Sequence, residues 1–256
     1  MATHRPSLKR VQRELNREQL DQNAILRGLE EPLVERVLRH AKLSMLDLRF
    51  IIYRPEQPIR EVYFPLDCVL SVVTRLRDGQ QIEIGTVGRE GMSAFPLIMG
   101  ASSTANDSYC QVSGFAIHIE SELFREFTAK SYGFRQQLDR YLQAYVNMLG
   151  QLAACNRLHT VFERCARWLL LTRDRVDDDR MRLTHEFLAM MLGTTRSGVT
   201  IALGHMQRAE LIHILHGSIK ILNRVGLENA ACECYAVARE QFGGLLRTVE
   251  SKSNVS

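Results

Sequence analysis

Apolar residues recur along this chain with two different periods, and the change of period divides it. From Leu43 to Ile119 they fall in short runs: Arg49–Tyr53, Glu61–Phe64, Val69–Thr74, Gln81–Val87, Tyr109–Val112 and Phe115–Ile119. Pro55, Pro58, Pro65, Asp78-Gly79 and Ser113-Gly114 punctuate them. Gln81–Val87 alternates polar and apolar residues, as a half-buried strand does. Many short strands separated by turns predict a compact β sandwich or roll. Ahead of them, Glu31–His40 carries Leu33, Val34, Val37 and Leu38 on one helical face. Residues 1–22 are polar, with Arg5, Lys9, Arg10, Arg13 and Arg17 against Glu14, Glu18 and Asp21, which predicts a tail or lead-in helix. A basic arm touching nucleic acid is the alternative.

After Ile119 the period becomes helical. Ser121 can cap a short helix over Glu122–Lys130, and a long one starts near Ser131. Phe134, Leu138, Tyr141, Tyr145, Met148, Leu152, Cys155 and His159 follow at spacings of 4, 3, 4, 3, 4, 3 and 4, a heptad seam. Leu138, Tyr141, Tyr145, Met148 and Leu152 are therefore the expected dimer interface, with a long monomeric core helix as the alternative. Leu142 and Leu149 widen the stripe, so that one side can pack on the β domain. Phe162–Arg173 predicts another helix, with Cys165, Ala166, Leu169 and Leu170 on one side. The charged string Arg173–Arg180 reads as a solvated loop; its consecutive aspartates point in different directions and make a poor metal site.

Residues 184–222 carry the most information. Thr184 is a candidate N-cap for a helix over His185–Met191, and Gly193 can take the positive φ of a tight turn. Thr195 can cap a second helix to about Arg208. Ala189, Gly193 and Val199 stand where a helix-turn-helix needs a small residue, a turn and a packing contact. Val199, Ala202, Leu203 and Met206 should face inward. Arg196, Ser197, Thr200 and Gly204 should face outward near the helix N-terminus, where a recognition helix reads base edges. Arg196 has the guanidinium fork that pairs with guanine, and Thr195, Ser197 and Thr200 can make shorter polar or phosphate contacts. The runs Leu211–Leu215 and Ile219–Leu222 about the turn His216-Gly217 predict a hairpin wing, from which Lys220 and Arg224 can reach phosphates. A helical hairpin that never meets DNA is the bland alternative.

Composition narrows the field further. The chain has 256 residues, 45% hydrophobic and 24% charged, with a formal net charge of +4, which suits one or two folded domains with weak attraction to polyanions. Six scattered cysteines do not make a secreted disulfide framework. The first residues lack the apolar core of a signal peptide and no apolar run approaches a membrane span, so a soluble, cytoplasmic protein is expected.

Catalytic and metal motifs fail on their spacing. His185-Glu186 opens like a zinc-protease motif, but Ala189 stands where the second His belongs. Gly85, Gly88 and Gly91 precede no helix, so they predict roll turns and not a phosphate loop. His213 and His216 fall on the wing, with no further ligand evident. Cys232 and Cys234, two apart on an expected helix over Arg224–Glu240, should diverge, and redox sensing is the minority reading. Leu227, Ala231 and Tyr235 would be that helix's packing face. Neither a catalytic constellation nor a metal site is expected.

Gly85-Thr-Val-Gly-Arg-Glu-Gly-Met92, Leu183-Thr-His-Glu-Phe-Leu-Ala-Met-Met-Leu-Gly193 and the order of elements make the chain resemble the Crp–Fnr superfamily of bacterial transcription regulators over residues 23–222. The resemblance implies an α+β protein. Its parts would be a polar tail (1–22), an N-terminal double-stranded β-helix of the cyclic-nucleotide-binding kind as sensor (23–130), a dimerisation helix (131–160), a winged helix-turn-helix (161–224) and a C-terminal helix and tail (225–256). It implies a homodimer on two-fold symmetric double-stranded DNA, RNA polymerase as partner for an activator, no membrane and no enzyme activity. An effector pocket would involve Gly91, Met92 and Asn106. Met92, however, occupies the ribose-binding Glu position of cyclic-AMP receptors, and Ala101–Ser108 lacks their phosphate-binding Arg, which argues against cyclic AMP. No cysteine precedes Cys68, so the family's N-terminal iron–sulfur cluster is not expected, and no cofactor is implied. In the reading helix Arg196 matches the family's guanine-reading Arg, while Ser197 and Ile201 depart from its pattern. The rival reading is a cyclic-nucleotide sensor module acting on a partner protein.

Overall fold

A computed structural model describes residues 8–10, 15–176, 178–215 and 217–250. Arg5, Arg13, Glu14, Asp177 and His216 lie outside the described residues. The elements run β1 (Leu8–Arg10), α1 (Arg17–Leu20), α2 (Ala24–Arg27), α3 (Glu31–His40), β2 (Lys42–Leu46), β3 (Ile51–Tyr53), β4 (Glu61–Pro65), β5 (Val69–Arg75), β6 (Gln81–Val87), β7 (Asp107–Val112) and β8 (Gly114–Glu120). They continue as α4 (Ser121–Lys130), α5 (Tyr132–Leu158), α6 (Val161–Val176), β9 (Arg180–Met181), α7 (His185–Leu192), α8 (Arg196–Arg208), β10 (Ile212–Leu215), β11 (Ser218–Ile221), α9 (Arg224–Ala230) and α10 (Cys234–Glu250). The chain forms two units. One comprises residues 1–72, 86–146 and 241–256, the other 73–85 and 147–240.

The roll has two four-stranded sheets, β1-β2-β8-β4 and β3-β7-β5-β6, all in the first unit but for the end of β5 and most of β6. The antiparallel pairing sets Leu43 and Phe64 opposite Ile117, and Val62 opposite Ile119, so that β8 is lined on both sides by apolar neighbours. Val62, Phe64, Val69, Leu70 and Ile117 are fully buried. Buried His118 bonds Ser44 Oγ at 2.9 Å and Glu61 Oε1 at 3.1 Å, and stacks on Tyr63 with ring centroids 5.1 Å apart. That bond from His118 holds the Glu61 carboxyl down to about 2. Two strands carry little sign of themselves in the sequence. Leu8–Arg10 is an edge strand on β2 in place of a tail, and Lys42–Leu46 is hidden between helix α3 and the first long run. Ser121 is the first residue of α4 and not its cap, a position that Glu120 takes without a side-chain bond.

Much of the expected seam of helix α5 is already covered within the single chain. Leu138, Tyr141 and Tyr145 are 0%, 1% and 2% exposed within the single chain. Tyr145 meets the Phe95 ring at 4.9 Å, and Tyr141 O–H donates to Met92 O at 3.0 Å. Met148 and Leu152 are half-buried. The heptad spacing is real, but the roll occupies it: a seam of large aromatics gains as much from a sheet as from a second helix. The apolar positions left in water lie on another face, with half-buried Leu142 and Leu149 beside Val146, which is 51% exposed.

The second unit centres on α6. Cys165, Ala166, Leu169 and Leu170 are fully buried, as expected of that face. Trp168 Nε1 donates to Glu83 Oε1 at 3.0 Å, both residues being buried, and so ties the tip of the β5–β6 hairpin to α6. Strand β9 adds a third strand to the wing, in the order β10-β11-β9, where a charged loop was expected. The C-terminal segment is two helices, α9 and α10, with Leu227 and Tyr235 buried and Ala231 between them half-buried. Arg224 is not available to phosphate. It pairs with Asp174 at 2.6 Å and Glu228 at 2.9 Å and donates to Tyr235 O–H.

Candidate nucleic-acid interface and a buried thiol cluster

The helix-turn-helix forms for the reasons its residues suggest. Thr184 Oγ1 accepts from Phe187 N at 3.1 Å and Thr195 Oγ1 from Gly198 N at 3.1 Å, which starts both helices with a satisfied donor. Between them Gly193 adopts φ +57, and a Cβ there would run into the side chain of Ile82. Val199, Ala202, Leu203 and Met206 are all buried, at 0%, 4%, 0% and 0%. That inward stripe anchors α8 and turns the opposite stripe to solvent.

On the outward stripe, Arg196, Ser197, Thr200, Ile201 and His205 are exposed, and Gly204 is half-buried. Among the described residues the Arg196 guanidinium pairs with Glu186 at 3.8 Å, the side chains being 71% and 79% exposed, a contact that constrains it little. Ser197 Oγ bonds Thr195 Oγ1 at 3.1 Å. Thr200 is more committed than expected: its hydroxyl donates to Arg196 O at 2.9 Å and meets His185 Nδ1 at 2.9 Å, which cross-links α7 to α8. His185 was missed in this role, because its partner lies fifteen residues on. On the wing, exposed Lys220 stands opposite exposed His213 across the β10–β11 pairing.

The expected effector residues differ in their surroundings. Met92 is fully buried, and a Cβ on Gly91 would collide with the Tyr141 ring. Gly91 O accepts from Asn23 Nδ2 at 2.8 Å. The chain's own side chains fill this place, while Asn106 is half-buried in the loop before β7. A cleft of about 460 Å³ lies elsewhere in this unit, lined by Glu30, Leu33, Arg36, Phe127 and Lys130 among others.

One constellation overturns an expectation. Cys155, His159, Cys232 and Cys234 come together with their ligand atoms all within 4.8 Å of one another, a set that can hold a metal ion. Cys155 Sγ lies 3.6 Å from Cys232 Sγ, and Cys234 Sγ 3.6 Å from His159 Nδ1. Cys232 and Cys234 were expected to diverge on one helix. Instead α9 ends at Ala230 and α10 begins at Cys234, so the link between them is free to aim both thiols the same way. Cys155 and His159 sit one turn apart at the end of α5, where i and i+4 share a face. The contact with Cys232, together with the charge of Arg167, holds the Cys155 thiol low; burial pushes Cys234 up. The legible signal was the pairing of a Cys-x-x-x-His on a helix with a distant Cys-x-Cys.

Comparison with known proteins agrees with this geometry. Residues 163–230 match the family model of the Crp-like helix-turn-helix domain. Among solved structures, a Crp/Fnr-family regulator from Eubacterium rectale superposes with a TM-score of 0.64 at 16% identity, covering 82% of this chain and 98% of that one. A CRP-family regulator from Thermus thermophilus gives 0.62 at 18% identity, covering 73% and 95%. FixK2 from Bradyrhizobium japonicum gives 0.61 at 16%, covering 75% and 98%. No curated protein matches the chain. The fold is therefore that of the Crp/Fnr proteins: an N-terminal β sandwich, the long helix α5 and a C-terminal helix-turn-helix.

Proposed function

We propose that this chain is a non-enzymatic, DNA-binding transcription regulator of the Crp–Fnr kind, acting as a homodimer on a two-fold symmetric operator. The observation that carries the reading is the division of α8. Its inward stripe is wholly buried, and its outward stripe offers Arg196, Ser197 and Ile201 to the major groove at the helix N-terminus. Arg196 reads a guanine edge, Ser197 and the Thr195 region meet phosphate or base, and Lys220 on the wing neutralises a backbone phosphate. Thr200 contributes its methyl group, its hydroxyl being spent within the motif.

The dimer face in this reading is the stripe of α5 that the roll leaves uncovered: Leu142, Val146, Leu149 and Ala153, at heptad spacing. A partner RNA polymerase follows only for an activator. The filled site around Met92 supports a sensor that does not take cyclic AMP. Strands β5 and β6, whose residues are shared between the two units, offer a covalent route for a signal from the roll.

Selection of binding sites from a random duplex library, with the purified full chain, tests this reading. Enrichment of a two-fold symmetric site is the expected result. Enrichment of a single unpaired half-site would remove the dimer. No enrichment, with or without cell-extract metabolites, would remove sequence-specific recognition.

A further inference from the structure

We infer that Cys155, His159, Cys232 and Cys234 bind one zinc ion in tetrahedral geometry, through three thiolates and His159 Nδ1, and that this ion pins the link between α9 and α10 to the end of α5. The spacing carries the argument. Zinc–sulfur and zinc–nitrogen bonds of about 2.3 and 2.0 Å place three sulfurs and one nitrogen in tetrahedral geometry roughly 3.5 to 3.8 Å from one another. The Cys155–Cys232 and Cys234–His159 pairs both stand at 3.6 Å, and no two ligand atoms are more than 4.8 Å apart. A four-iron cluster puts each thiolate on a different iron and needs the sulfurs much further apart. The donor set of three cysteines and one histidine, with no place left for water, is that of a structural zinc site.

The surroundings fit a bound cation held by thiolates. Gln151 Nε2 donates to Cys234 Sγ at 3.0 Å, the outer contact a coordinated thiolate accepts. His159 Nε2 faces Glu233 Oε2 at 3.6 Å, so the ring can turn its lone pair at Nδ1 inward while a carboxylate orients the opposite N–H. Three thiolates around a dication leave one negative charge. Arg167, buried and acting electrostatically on Cys155, supplies the opposite charge, and its Nε has no hydrogen-bond partner among the described residues. Without an ion, the chain gathers three buried thiols and an imidazole at one place. Cys155, Cys232 and Cys234 form a buried cluster of their own.

The consequence is local and mechanical. Cys155 and His159 lie just before and at the place where α5 stops at Leu158 and α6 starts at Val161, and they tie to it a segment more than seventy residues later in the chain. A bound ion would thus fix the joint from which the helix-turn-helix departs and close a long loop, where a cross-link gains most.

The test is metal analysis of the full chain purified anaerobically under thiol-reducing conditions, followed by cobalt replacement. The expected result is one zinc per chain. On replacement, the visible d–d bands and thiolate charge-transfer band of tetrahedral cobalt should appear. Cys234→Ser and Cys155→Ser should each lose the bound zinc, while Cys165→Ala, which changes a buried cysteine outside the cluster, keeps it. Should these variants misfold, the cobalt spectrum of the unaltered chain still decides. Folded chain that takes up neither zinc nor cobalt overturns the inference, and so does iron accompanied by acid-labile sulfide. A Cys155–Cys232 disulfide in the anaerobic preparation would do the same. None of these readouts involves DNA, so they stand or fall apart from the regulator reading.

Discussion

The outward face of α8 and the cluster at the end of α5 are both polar constellations on helices, and they are built in opposite ways. On α8 the groups lie within a few residues of one another and stand in water, and Arg196 has only a loose surface partner. At the end of α5 three cysteines are 0%, 5% and 2% exposed, drawn from segments far apart in the chain, with neighbours that orient them. A surface meant for a partner that comes and goes keeps its groups solvated, because desolvation is then part of the recognition. A site meant for an occupant that stays takes its groups out of water during folding, so its binding energy becomes folding energy. The first kind should separate binding from stability when altered; the second should not.

The largest effect expected lies beneath the α8 face. Leu203→Ala removes a fully buried side chain and should cost about 2–5 kcal/mol in urea unfolding, with operator binding lost alongside. A change near zero would mean that the inward stripe is not core, and the division of α8 would collapse. Next, Trp168→Phe leaves Glu83 without its indole donor in a buried place and should cost about 1–3 kcal/mol, without touching the reading face. Gly193→Ala asks an alanine to hold φ +57 against Ile82, and about 1–2 kcal/mol of destabilisation should appear as a lower Tm.

Arg196→Ala sharpens the contrast most directly. Stability should stay within about 0.5 kcal/mol, as for other surface changes. Preference at one base pair per half-site should relax by about 1–3 kcal/mol in competition binding. Uniform weakening on every sequence would make Arg196 a phosphate contact instead. The smallest effect is the pH response of the roll. The Glu61 carboxyl is depressed to about 2 by its bond from His118, below the usual carboxylate range. Its contribution is therefore present above about pH 4 and lost progressively as pH falls towards 2. Glu61→Gln should flatten that part of the acid-unfolding curve, and an unchanged curve would show the bond to carry no stability.

Much of this was legible from local pattern. The helix at Glu31–His40, the long strands, both caps at Thr184 and Thr195, the turn at Gly193 and the inward stripe of α8 depend on neighbours three or four residues away, and the structure keeps them. Short strands were harder. Leu8–Arg10, Lys42–Leu46 and Arg180–Met181 owe their conformation to the partner strands they pair with, and their own residues carry little β signal. Arg224 looked like a free cation although Glu228, one helical turn on, was legible as a partner; its other partner, Asp174, is fifty residues away in the chain.

The sequence by itself determined periodicity, caps, turns and which side of each helix is apolar, since these follow from backbone geometry and near-neighbour contacts. Which surface an apolar stripe meets was left to the tertiary structure. Tyr141 and Tyr145 satisfy a heptad equally well against a partner helix or their own roll, and only the packed chain chose the roll. The thiol cluster was decided there too: Cys155 and His159 on α5 could meet Cys232 and Cys234 only once α6, the wing and α9 had folded back between them. Long-range proximity is a property of the whole chain's packing, and no window of neighbouring residues contains it.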